Sequence, residues 1–529
     1  RVNLFGTDGI RGEVDLSLCG TREAIDALLD ERRLTVPLAW LAGQSLARTL
    51  DCEGASVVIG WDDRPGNPAL VTAVKDAFCV AGWQVTLVGP CATPLVHHVL
   101  LNQGSTAGIM ITASHNPVED SGLKVFDEAG RKSTPAMERS ITRTMLDLAQ
   151  EDHALSHLMQ GLVKPLTSDV DVDEVHGAWL TARMDDLETM FPETEGALIH
   201  DAQAPLLLDL SRGSAVGWLP AWLEANGLDV QEVSHAATAM NRHCGAGELS
   251  PGQRWTWAQA LQEDHLLLRQ VREAPEGTML AAALDGDGDR CLMLVAERGG
   301  PAVVDGDAMA LRLLNAAARD RAWTVAASIE SDLALTSRAS AMPHVNQVLE
   351  TAVGDRWLSV ALAEGSTAAL PAVIGVEDSG HLVLPSRREG GWSLVGDGAA
   401  SLVAVLLAGL GRQGGVQQTG GWKRRTSIAP ADRSRWTGTG PLAEAVRSAV
   451  RSTLPDAKDV TSGGLEAEPN LLLVQGTLDG ARFSFGVRNS GTQAKTSLSA
   501  RTDEPRLEER MVALLQAVDD ALRPALGPS

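Results

Sequence analysis

Apolar runs and amphipathic stretches alternate along most of the chain, in an order that occurs three times. Each time, an apolar run is followed by a helical stretch and then by a second apolar run. The three pairs of runs are "ASVVIGW" and "WQVTLVG" (55–61 and 83–89), "PLLLDLS" and "LDVQEV" (205–211 and 228–233), and "WTVAASI" and "NQVLET" (323–329 and 346–351). Strands that alternate with helices form parallel sheets with helices on their faces. The pattern therefore predicts three α/β domains of similar build, with mixed, largely parallel sheets.

The end of the chain follows a different pattern. "LLLV" (471–474) leads through a short turn to "ARFSFGV" (481–487), where apolar and polar residues alternate as on a half-buried antiparallel strand. A closing helix has one apolar face, which consists of Leu507, Met511, Leu514, Leu515, Val518 and Leu522. These features predict a smaller α+β domain. We place the four domains at 1–165, 166–302, 303–422 and 423–529.

The composition is that of a globular protein with an acidic surface. A chain of 529 residues is long enough for three or four domains, each with its own core. Hydrophobic residues at 44% and charged residues at 21% are typical of a folded protein. The formal net charge is −23, from 68 acidic and 45 basic residues. Such a surface repels phosphate backbones, so we expect no nucleic-acid partner.

Membrane association and secretion are not indicated. The apolar run "LVAVLLAGL" (402–410) is too short to span a bilayer. The first residues, "RVNLFGTDGIRG", lack the apolar core of a secretion signal and do not begin with Met, which suggests a trimmed N-terminus. The cysteines form no CxxC pair; they are Cys19, Cys52, Cys79, Cys91, Cys244 and Cys291. We expect buried free thiols and a cytoplasmic protein, as a monomer or a homodimer.

The stretch "LDGDGDRC" places Asp285, Asp287 and Asp289 at alternate positions. In an extended stretch these positions face the same way, so we expect the three carboxylates to converge. Gly286 and Gly288 permit tight turns and the close approach of a ligand. Crowded like charges are costly unless a cation neutralises them, and carboxylate oxygens suit Mg²⁺. The pattern favours a magnesium site over a polar turn whose acids point into water.

The stretch "ITASHNPVEDSGLK" (111–124) follows the apolar run "AGIMI" (107–111). If that run is a buried strand, Ser114 lies at its end, where open α/β sheets bind ligands. Ser, Asn and Pro also favour turns, so these residues alone are explained equally well by a polar turn. The adjacency of Ser114 and His115 does not indicate a hydrolase, because neighbouring side chains rarely point the same way.

The stretch "RNSGTQAK" resembles an anion cradle. Arg488, Ser490, Gly491 and Thr492 follow a predicted strand. The backbone N–H groups of such a turn, two hydroxyls and a guanidinium could hold a phosphate. An ordinary hairpin loop is the alternative interpretation.

Three further polar loops, "FGTDGIRG", "VGDRW" and "GVEDSGH", carry residues suited to an anion or to sugar hydroxyls. Taken alone, each is explained more simply as a solvated turn. The residues concerned are Arg11, Asp355, Arg356, Glu377, Ser379 and His381.

Six motifs occur in an order similar to that of the α-D-phosphohexomutases: "FGTDGIRG", "TASHNP", "DGDGDR", "VGDR", "EDSGH" and "RNSGT". The resemblance covers nearly the whole chain, and "TASHNP" followed by "DGDGDR" is highly specific. It implies three similar α/β domains and a smaller fourth domain around a central cleft, in agreement with the pattern above. The chain is longer than typical bacterial members, with extra length around 13–34 and 150–200.

The resemblance also implies roles for the motif residues. Ser114 corresponds to the serine that carries the phosphoryl group and, with Asp285, Asp287 and Asp289, binds Mg²⁺. The reacting centre is lined by Arg11, His115, Lys124 and Arg290, among which the general acid and base stay open. The substrate is bound by Asp355, Arg356, Glu377, Ser379 and His381, and its non-reacting phosphate by Arg488, Ser490, Gly491 and Thr492. The basic residues of these loops, with Lys495, would make the cleft locally positive on an acidic protein.

The implied activity is reversible transfer of a phosphoryl group between C6 and C1 of a hexose phosphate, through phospho-Ser114 and a sugar bisphosphate. "FGTDGIRG" and "VGDR" most resemble the phosphoglucosamine mutases, which interconvert glucosamine 6-phosphate and glucosamine 1-phosphate. "TASHNP" and "GVEDSGH" fit a phosphomannomutase or phosphoglucomutase equally well. Asn489, Gln493 and Ala494 depart from the family's usual "RPSGTEP", and Val376 from its usual glycine pair. A metal-dependent sugar phosphatase and a non-catalytic sugar-phosphate sensor remain alternatives from other classes.

Overall fold

Four β-sheets follow one another along the chain. The computed structural model describes all residues except 1, 2, 7, 18, 51, 152, 154, 156–165, 364–368, 491–493, 528 and 529. The first three sheets each combine parallel and antiparallel pairs, whereas the described pairs of the fourth are antiparallel. This is the predicted architecture of three α/β units and a distinct α+β unit.

The first sheet contains β1 (Ile10–Asp15), β2 (Arg33–Thr35), β3 (Ser56–Trp61), β4 (Gln84–Pro90), β5 (Ala107–Ile111) and β6 (Asp120–Phe126). Their order is β2-β1-β6-β5-β3-β4. The helices are α1 (Thr21–Glu31), α2 (Val36–Thr49), α3 (Asn67–Val80), α4 (Thr93–Gln103) and α5 (Pro135–Leu148). The predicted strand pair is confirmed, since β3 and β4 run parallel. Thr35 caps α2 two residues before Pro37, and Thr134 caps α5 directly before Pro135.

The second sheet is preceded by α6 (Val172–Met190). Its strands are β7 (Leu206–Asp209), β8 (Val230–Glu232), β9 (Met279–Leu284), β10 (Cys291–Glu297) and β11 (Gly300–Val304), in the order β11-β10-β9-β7-β8. Short helices α7 (Leu219–Ala225), α8 (Trp257–Ala260) and α9 (Leu266–Gln270) connect them. β7 and β8 pair in parallel as predicted, and β11 extends this sheet past the predicted boundary at 302.

The third sheet contains β12 (Trp323–Ser328), β13 (Val345–Thr351), β14 (Val373–Val376), β15 (Leu382–Arg388) and β16 (Gly391–Gly396), in the order β13-β12-β14-β15-β16. Its helices are α10 (Gly306–Ala316), α11 (Leu333–Ser340), α12 (Asp355–Ala363) and α13 (Gly398–Leu407). The predicted parallel pair is confirmed as β12 and β13.

The fourth sheet contains β17 (Trp422–Ile428), β18 (Lys458–Leu465), β19 (Glu468–Leu478), β20 (Ala481–Asn489) and β21 (Thr496–Thr502), in the order β17-β21-β20-β19-β18. It packs against α14 (Gly440–Thr453) and α15 (Glu508–Leu526). The predicted hairpin is confirmed as the antiparallel pair of β19 and β20. The apolar face of α15 is buried, also as predicted.

Short 3₁₀ turns lie at Pro192–Thr194, Ser234–Ala236, Ala246–Glu248, Arg433–Arg435 and Pro505–Leu507. The second and third sheets share one hydrophobic core, which includes parts of α6 and all the large apolar residues of α13. The apolar run at 402–410 is therefore the interior of that core. No helix among the described residues is long and apolar enough to cross a membrane.

The six cysteines are free thiols, as predicted. Only some are buried, however: Cys52 and Cys79 are exposed, contrary to the expectation from the sequence. Cys79 lies near the end of the amphipathic helix α3, on the side that faces water.

Candidate active site

The three α/β units each contribute one loop from an equivalent point of the sheet. The loops follow β5, β9 and β14, and each of these strands is parallel to one neighbour and antiparallel to the other. The first loop carries Ser114, the second the three aspartates and the third Glu377 and His381. The repeat along the sequence thus becomes a repeat of loops at the carboxyl ends of strands, where α/β sheets bind ligands.

Ser114 is held in a rare backbone conformation. Its φ is +56°, a value that side-chain-bearing residues seldom adopt. The guanidinium of buried Arg64 donates to the carbonyl oxygens of Ser114 and Asn116, at 2.7 and 3.0 Å, and pairs with Asp62 at 3.0 Å. The amide of Asn241, from the second unit, donates to the same two carbonyls at 2.7 and 3.0 Å. The loop is therefore fixed from two domains at once.

The hydroxyl of Ser114 meets the aspartates directly. Its Oγ donates to Oδ2 of Asp285 at 2.8 Å. Oxygens of Asp285, Asp287 and Asp289 lie within 4.8 Å of one another, and all three residues are buried. The expected convergence is confirmed, but the predicted extended backbone is wrong. Residues 286–288 form a turn, closed by a 3.1 Å bond from the N–H of Gly288 to the carbonyl of Asp285, with φ +69° at Gly288.

Two buried lysines face the aspartates. Nζ of Lys124, on β6, lies 2.7 Å from Asp287 and 2.9 Å from Asp289, and 3.3 Å from Asp8. Burial opposes the charged form of Lys124, but the aspartates outweigh it and raise the pKa of the amine well above its usual value. Nζ of Lys132 bridges Asp8 at 3.2 Å and Asp289 at 3.7 Å. Burial also opposes the charged form of Lys132, but Asp355 and Asp8 outweigh it and raise its pKa, so both lysines hold their protons.

The three aspartates retain features of a cation-binding site. Oδ1 of Asp287 is buried without a hydrogen-bond partner among the described residues. Burial, reinforced by Asp287 and Asp289, raises the pKa of Asp285 to about 7. Three carboxylates and a serine oxygen form an all-oxygen donor set of the kind that Mg²⁺ prefers. The residues present fit a magnesium ion.

The N-terminus of α4 also points at this group. Its first residue, Thr93, donates its N–H to the carbonyl of Asp287 at 2.8 Å and its hydroxyl to the carboxylate. The positive end of a helix dipole stabilises a nearby carboxylate. This contact further fixes the loop of Asp287.

The third unit joins the site through His381. Its Nδ1 lies 2.9 Å from Glu377 and its Nε2 lies 3.0 Å from Asp289. Burial alone would lower the pKa of His381, but the attraction of Asp289 prevails and raises it to about 9. The imidazolium therefore donates to both carboxylates. Glu377 is oriented by the N–H of Gly354, at 2.7 Å.

His115 has a different environment from His381. Its Nδ1 is buried without a partner among the described residues. The charge of Arg290, together with burial and Arg11, lowers the pKa of His115 to about 2. Nε of Arg290 lies 3.7 Å from Asp285, and Arg11 donates to the carbonyl of Ala113 at 3.3 Å. The positive charges of two guanidinium groups thus favour the neutral form of this imidazole.

A cleft of about 800 Å³ is lined by residues of all four units. The predicted site residues in its lining are Arg11, His115, Arg290, Asp355, Glu377, Ser379, His381, Arg488 and Ser490. Lys495 lines it too. Arg488 lies within β20, opposite Ser497, and not after the strand as predicted, because the ladder continues to Asn489. Gly491 and Thr492 lie outside the described residues.

Arg356 is placed differently from the other predicted residues. Its guanidinium donates to the carbonyl of Ser133 at 3.0 Å and pairs with Glu138, both in the first unit. It also stacks on the ring of Trp357. Its neighbour Asp355 pairs with Lys132 at 2.9 Å. "VGDRW" thus fastens the third unit to the first, at the edge of the cleft.

Several residues near the site were not singled out from the sequence: Asp8, Arg32, Arg64, Thr93, Lys132, Asn241, Glu330 and Arg425. Arg64 had a usable signal, because "WDDRPG" places charges directly after an apolar run. Arg32 follows α1, in the region of extra length. Asn241 and Glu330 lie in loops whose local sequence pattern does not indicate a functional residue.

Comparison with known proteins agrees with this geometry. Residues 2–152 match phosphoglucomutase/phosphomannomutase alpha/beta/alpha domain I, and residues 305–416 match domain III of the same family. A phosphoglucosamine mutase of Sorangium cellulosum is 30% identical over 407 residues, which cover 76% of this chain and 73% of the relative. A phosphoglucosamine mutase of Corynebacterium jeikeium is 27% identical over 528 residues, which cover 97% and 98%.

A solved structure has the same fold. The crystal structure of a phosphoglucomutase/phosphomannomutase family protein from Burkholderia thailandensis superposes with a TM-score of 0.62, at 17% sequence identity. The match covers 99% of this chain and 97% of that one.

Proposed function

Because the chain belongs to the α-D-phosphohexomutase family, an isomerase family, we propose that it interconverts glucosamine 6-phosphate and glucosamine 1-phosphate. The named relatives that match most of the chain are phosphoglucosamine mutases. The observation that carries the proposed chemistry is the 2.8 Å contact between the hydroxyl of Ser114 and Asp285, beside a cleft lined by four domains.

The reaction proceeds in two phosphoryl transfers. In the first, the bond between phosphorus and Oγ of phospho-Ser114 breaks while a bond forms to the free hydroxyl of the sugar monophosphate, which loses its proton. The resulting bisphosphate reorients in the cleft. In the second, its other phosphoryl group moves to Oγ of Ser114, and the oxygen that leaves phosphorus takes up a proton. Phosphoryl transfer depends mainly on positioning and on charge neutralisation.

The residues around Ser114 supply both requirements. Arg64 and Asn241 position the loop through its carbonyls. Lys124, which keeps its proton, and Arg290 bring positive charge to the transferring group. The neutral imidazole of His115, in the lining of the cleft, is the proposed acceptor of the hydroxyl proton, because a bound phosphate would offset the charge of Arg290 that lowers the pKa of His115 in the free protein.

The other loops orient the substrate. Glu377, held in place by His381, presents a carboxylate to sugar hydroxyls, and Ser379 lines the same cleft. Arg488 and Ser490, contributed to the cleft by the fourth unit, bind the phosphate that is not reacting. Ser114, Asp285, Asp287 and Asp289 would hold Mg²⁺, and the bound ion supplies positive charge beside the transferring phosphoryl group.

The identity of the preferred substrate is tested by coupled assays with glucosamine 1-phosphate, glucose 1-phosphate and mannose 1-phosphate, each with a catalytic amount of sugar bisphosphate. We expect kcat/KM for the glucosamine substrate to exceed the others by about tenfold or more. Equal turnover of the glucose and glucosamine substrates would contradict a dedicated glucosamine enzyme. Release of inorganic phosphate without isomerisation would indicate a phosphatase.

The role of Ser114 is tested by Ser114→Ala. We expect this variant to lose mutase activity while it still binds Mg²⁺ and hexose phosphate, because the three aspartates and the substrate-binding loops are retained. Mass spectrometry of the wild-type protein should find phosphate on the peptide that carries Ser114. Ser452→Ala, at an exposed serine of α14, is the control and should keep full activity. Unchanged activity in Ser114→Ala would refute the mechanism.

A further inference from the structure

A carboxylate of the protein occupies the anion site of the fourth domain. Glu330 lies in the turn after β12, and its side chain is only 11% exposed. Its Oε1 accepts from Nη2 of Arg488 at 2.9 Å, and its Oε2 accepts from Nη1 of Arg425. Glu330, Arg425 and Arg488 all line the central cleft. The arginine that would bind phosphate therefore already holds an anion.

The two arginines reach this point from different strands. Arg425 lies on β17 and Arg488 on β20, with β21 between them. Each is also anchored by another carboxylate: Arg425 by Asp378 at 2.8 Å, and Arg488 by Glu468 at 3.1 Å. These anchors leave one N–H face of each guanidinium for the shared position that Glu330 fills. Two guanidinium groups directed at one point form a phosphate-binding arrangement.

A phosphate dianion and Glu330 cannot share that position. Burial disfavours the charged form of Glu330, but Arg425 and Arg488 outweigh it and lower the pKa of the carboxyl group, so it is ionised. A second anion placed beside it would meet direct repulsion at short range. A phosphate must therefore displace the carboxylate to reach both arginines.

We propose that Glu330 is an internal competitor for the non-reacting phosphate of the substrate, and that Arg425 is a second phosphate-binding residue beside Arg488. This inference rests on the proposed mutase function. It also gives Glu330 a role in the reaction cycle, because the bisphosphate must dissociate from the fourth domain in order to reorient between the two transfers. When the carboxylate of Glu330 pairs with both arginines again, it favours that dissociation.

The alternative is that Glu330 only fastens the fourth domain to the third. Contacts remote from the cleft already do this, and they provide a matched control. Glu350, also of the third domain, pairs with Arg501 at 3.0 Å and accepts from Gln475 at 2.9 Å. Glu350 and Arg501 are not among the residues that line the cleft.

The first test compares Glu330→Gln with Glu350→Gln. Binding of inorganic phosphate is measured by calorimetry on the full chain, and KM and kcat are measured with the hexose phosphate. We expect Glu330→Gln to lower the Kd for phosphate and the KM by about tenfold, with kcat unchanged or reduced because release slows. Glu350→Gln should leave the Kd and KM within about twofold of wild type.

The second test addresses Arg425. Arg425→Gln should raise the Kd for phosphate and the KM by about tenfold, with little change in kcat. Arg482→Gln is its control, because Arg482 also joins the fourth domain to the third, through the hydroxyls of Thr336 and Ser337 at 3.1 Å, but does not line the cleft.

The outcomes separate the two proposals. Equal effects of Glu330→Gln and Glu350→Gln, or weaker phosphate binding in Glu330→Gln, would overturn the competitor role. An unchanged Kd in Arg425→Gln would overturn the role of Arg425. If Glu330→Gln does not fold, Glu330→Asp, whose carboxylate is withdrawn from the arginines, should show a smaller decrease in the Kd for phosphate. An undiminished Kd in Glu330→Asp would contradict the proposal. Absence of mutase turnover in the wild-type protein contradicts the proposed function instead, because phosphate binding is read without turnover.

Discussion

At the scale of single residues, Arg64 decides the geometry of the loop that carries Ser114. Its guanidinium donates to the carbonyls of Ser114, Asn116, Pro117 and Asp120, and its partner Asp62 is fully buried. A left-handed non-glycine residue costs on the order of 1–3 kcal/mol and persists only where its surroundings enforce it. Arg64 and Asn241 enforce the conformation of Ser114 by holding its carbonyl from two sides.

Replacement of Arg64 tests this role. Arg64→Met leaves Asp62 buried and unpaired, so we expect a loss of about 3–5 kcal/mol in the free energy of unfolding. We also expect kcat to fall by about a hundredfold or more, because the nucleophile is no longer aligned. The measurements are chemical denaturation and the mutase assay at saturating substrate.

The control for this prediction is Arg131→Met. Arg131 is an exposed arginine, paired with Asp127 on the surface, and its removal should change stability by less than about 0.5 kcal/mol. A folded Arg64→Met protein with wild-type kcat would show that the loop keeps its shape without the guanidinium.

At the scale of elements, the turn after β9 that carries the three aspartates is locked against the turn after β7. The N–H and hydroxyl of Ser214 donate to the carbonyl of Gly286, at 3.1 and 2.8 Å. Gly213 lies so close that a Cβ there would be 2.3 Å from the same carbonyl oxygen. The absence of a side chain at Gly213 is therefore a condition for the position of the aspartates.

Gly213→Ala tests this interlock. The added methyl group cannot be accommodated by a side-chain movement, because its neighbour is backbone, so the turn of Asp285 and Asp287 must shift. We expect the Mg²⁺ concentration for half-maximal activity to rise by about tenfold or more. Magnesium titrations of the mutase reaction measure it. Gly463→Ala is the matched control, since a Cβ at Gly463 has no neighbour within 4 Å, and it should behave as wild type.

At the scale of the whole molecule, the cleft depends on contacts between domains. Nε2 of His97, on α4, lies 2.9 Å from the hydroxyl of Ser393 on β16, and its Nδ1 lies 2.7 Å from the carbonyl of Gly130. α6 is tied to the third domain by the buried pair of Arg183 and Asp397, at 2.7 Å. The first contact joins the first domain to the third, and the Arg183–Asp397 pair joins the second domain to the third.

His97 makes part of this assembly sensitive to pH. Burial lowers its pKa to about 4, from 6.5 in an unperturbed histidine. Below pH 6.5 the unfolded chain binds a proton there while the folded protein does not, so stability falls as the pH drops from 6.5 toward 4. The shift corresponds to about 3 kcal/mol.

His97→Gln should remove this contribution. We expect the difference in unfolding free energy between pH 7.5 and pH 5 to be smaller in the variant than in the wild-type protein. Denaturant titrations at the two pH values measure it. His235→Gln, at an exposed histidine, should retain the wild-type difference. An identical pH dependence in His97→Gln and wild type would exclude His97 as its source.

The sequence by itself determined the elements and the residues of the motif loops. The strands at 55–61, 205–211 and 323–329 were readable because burial imposes a local apolar pattern. The three aspartates and Ser114 were readable because their chemistry is concentrated in short stretches, and the fourth domain was readable from the alternation around Phe483 and Phe485.

Only the tertiary structure decided how these parts act together. Arg64 reaches a loop 50 residues away, and Asn241 reaches it from 127 residues away. Arg356, in the first turn of α12, contacts the first domain, and Glu330, in the turn after β12, contacts Arg425 and Arg488. The partner of a charged side chain depends on which loops come into contact in the folded protein, and the local sequence does not specify those contacts.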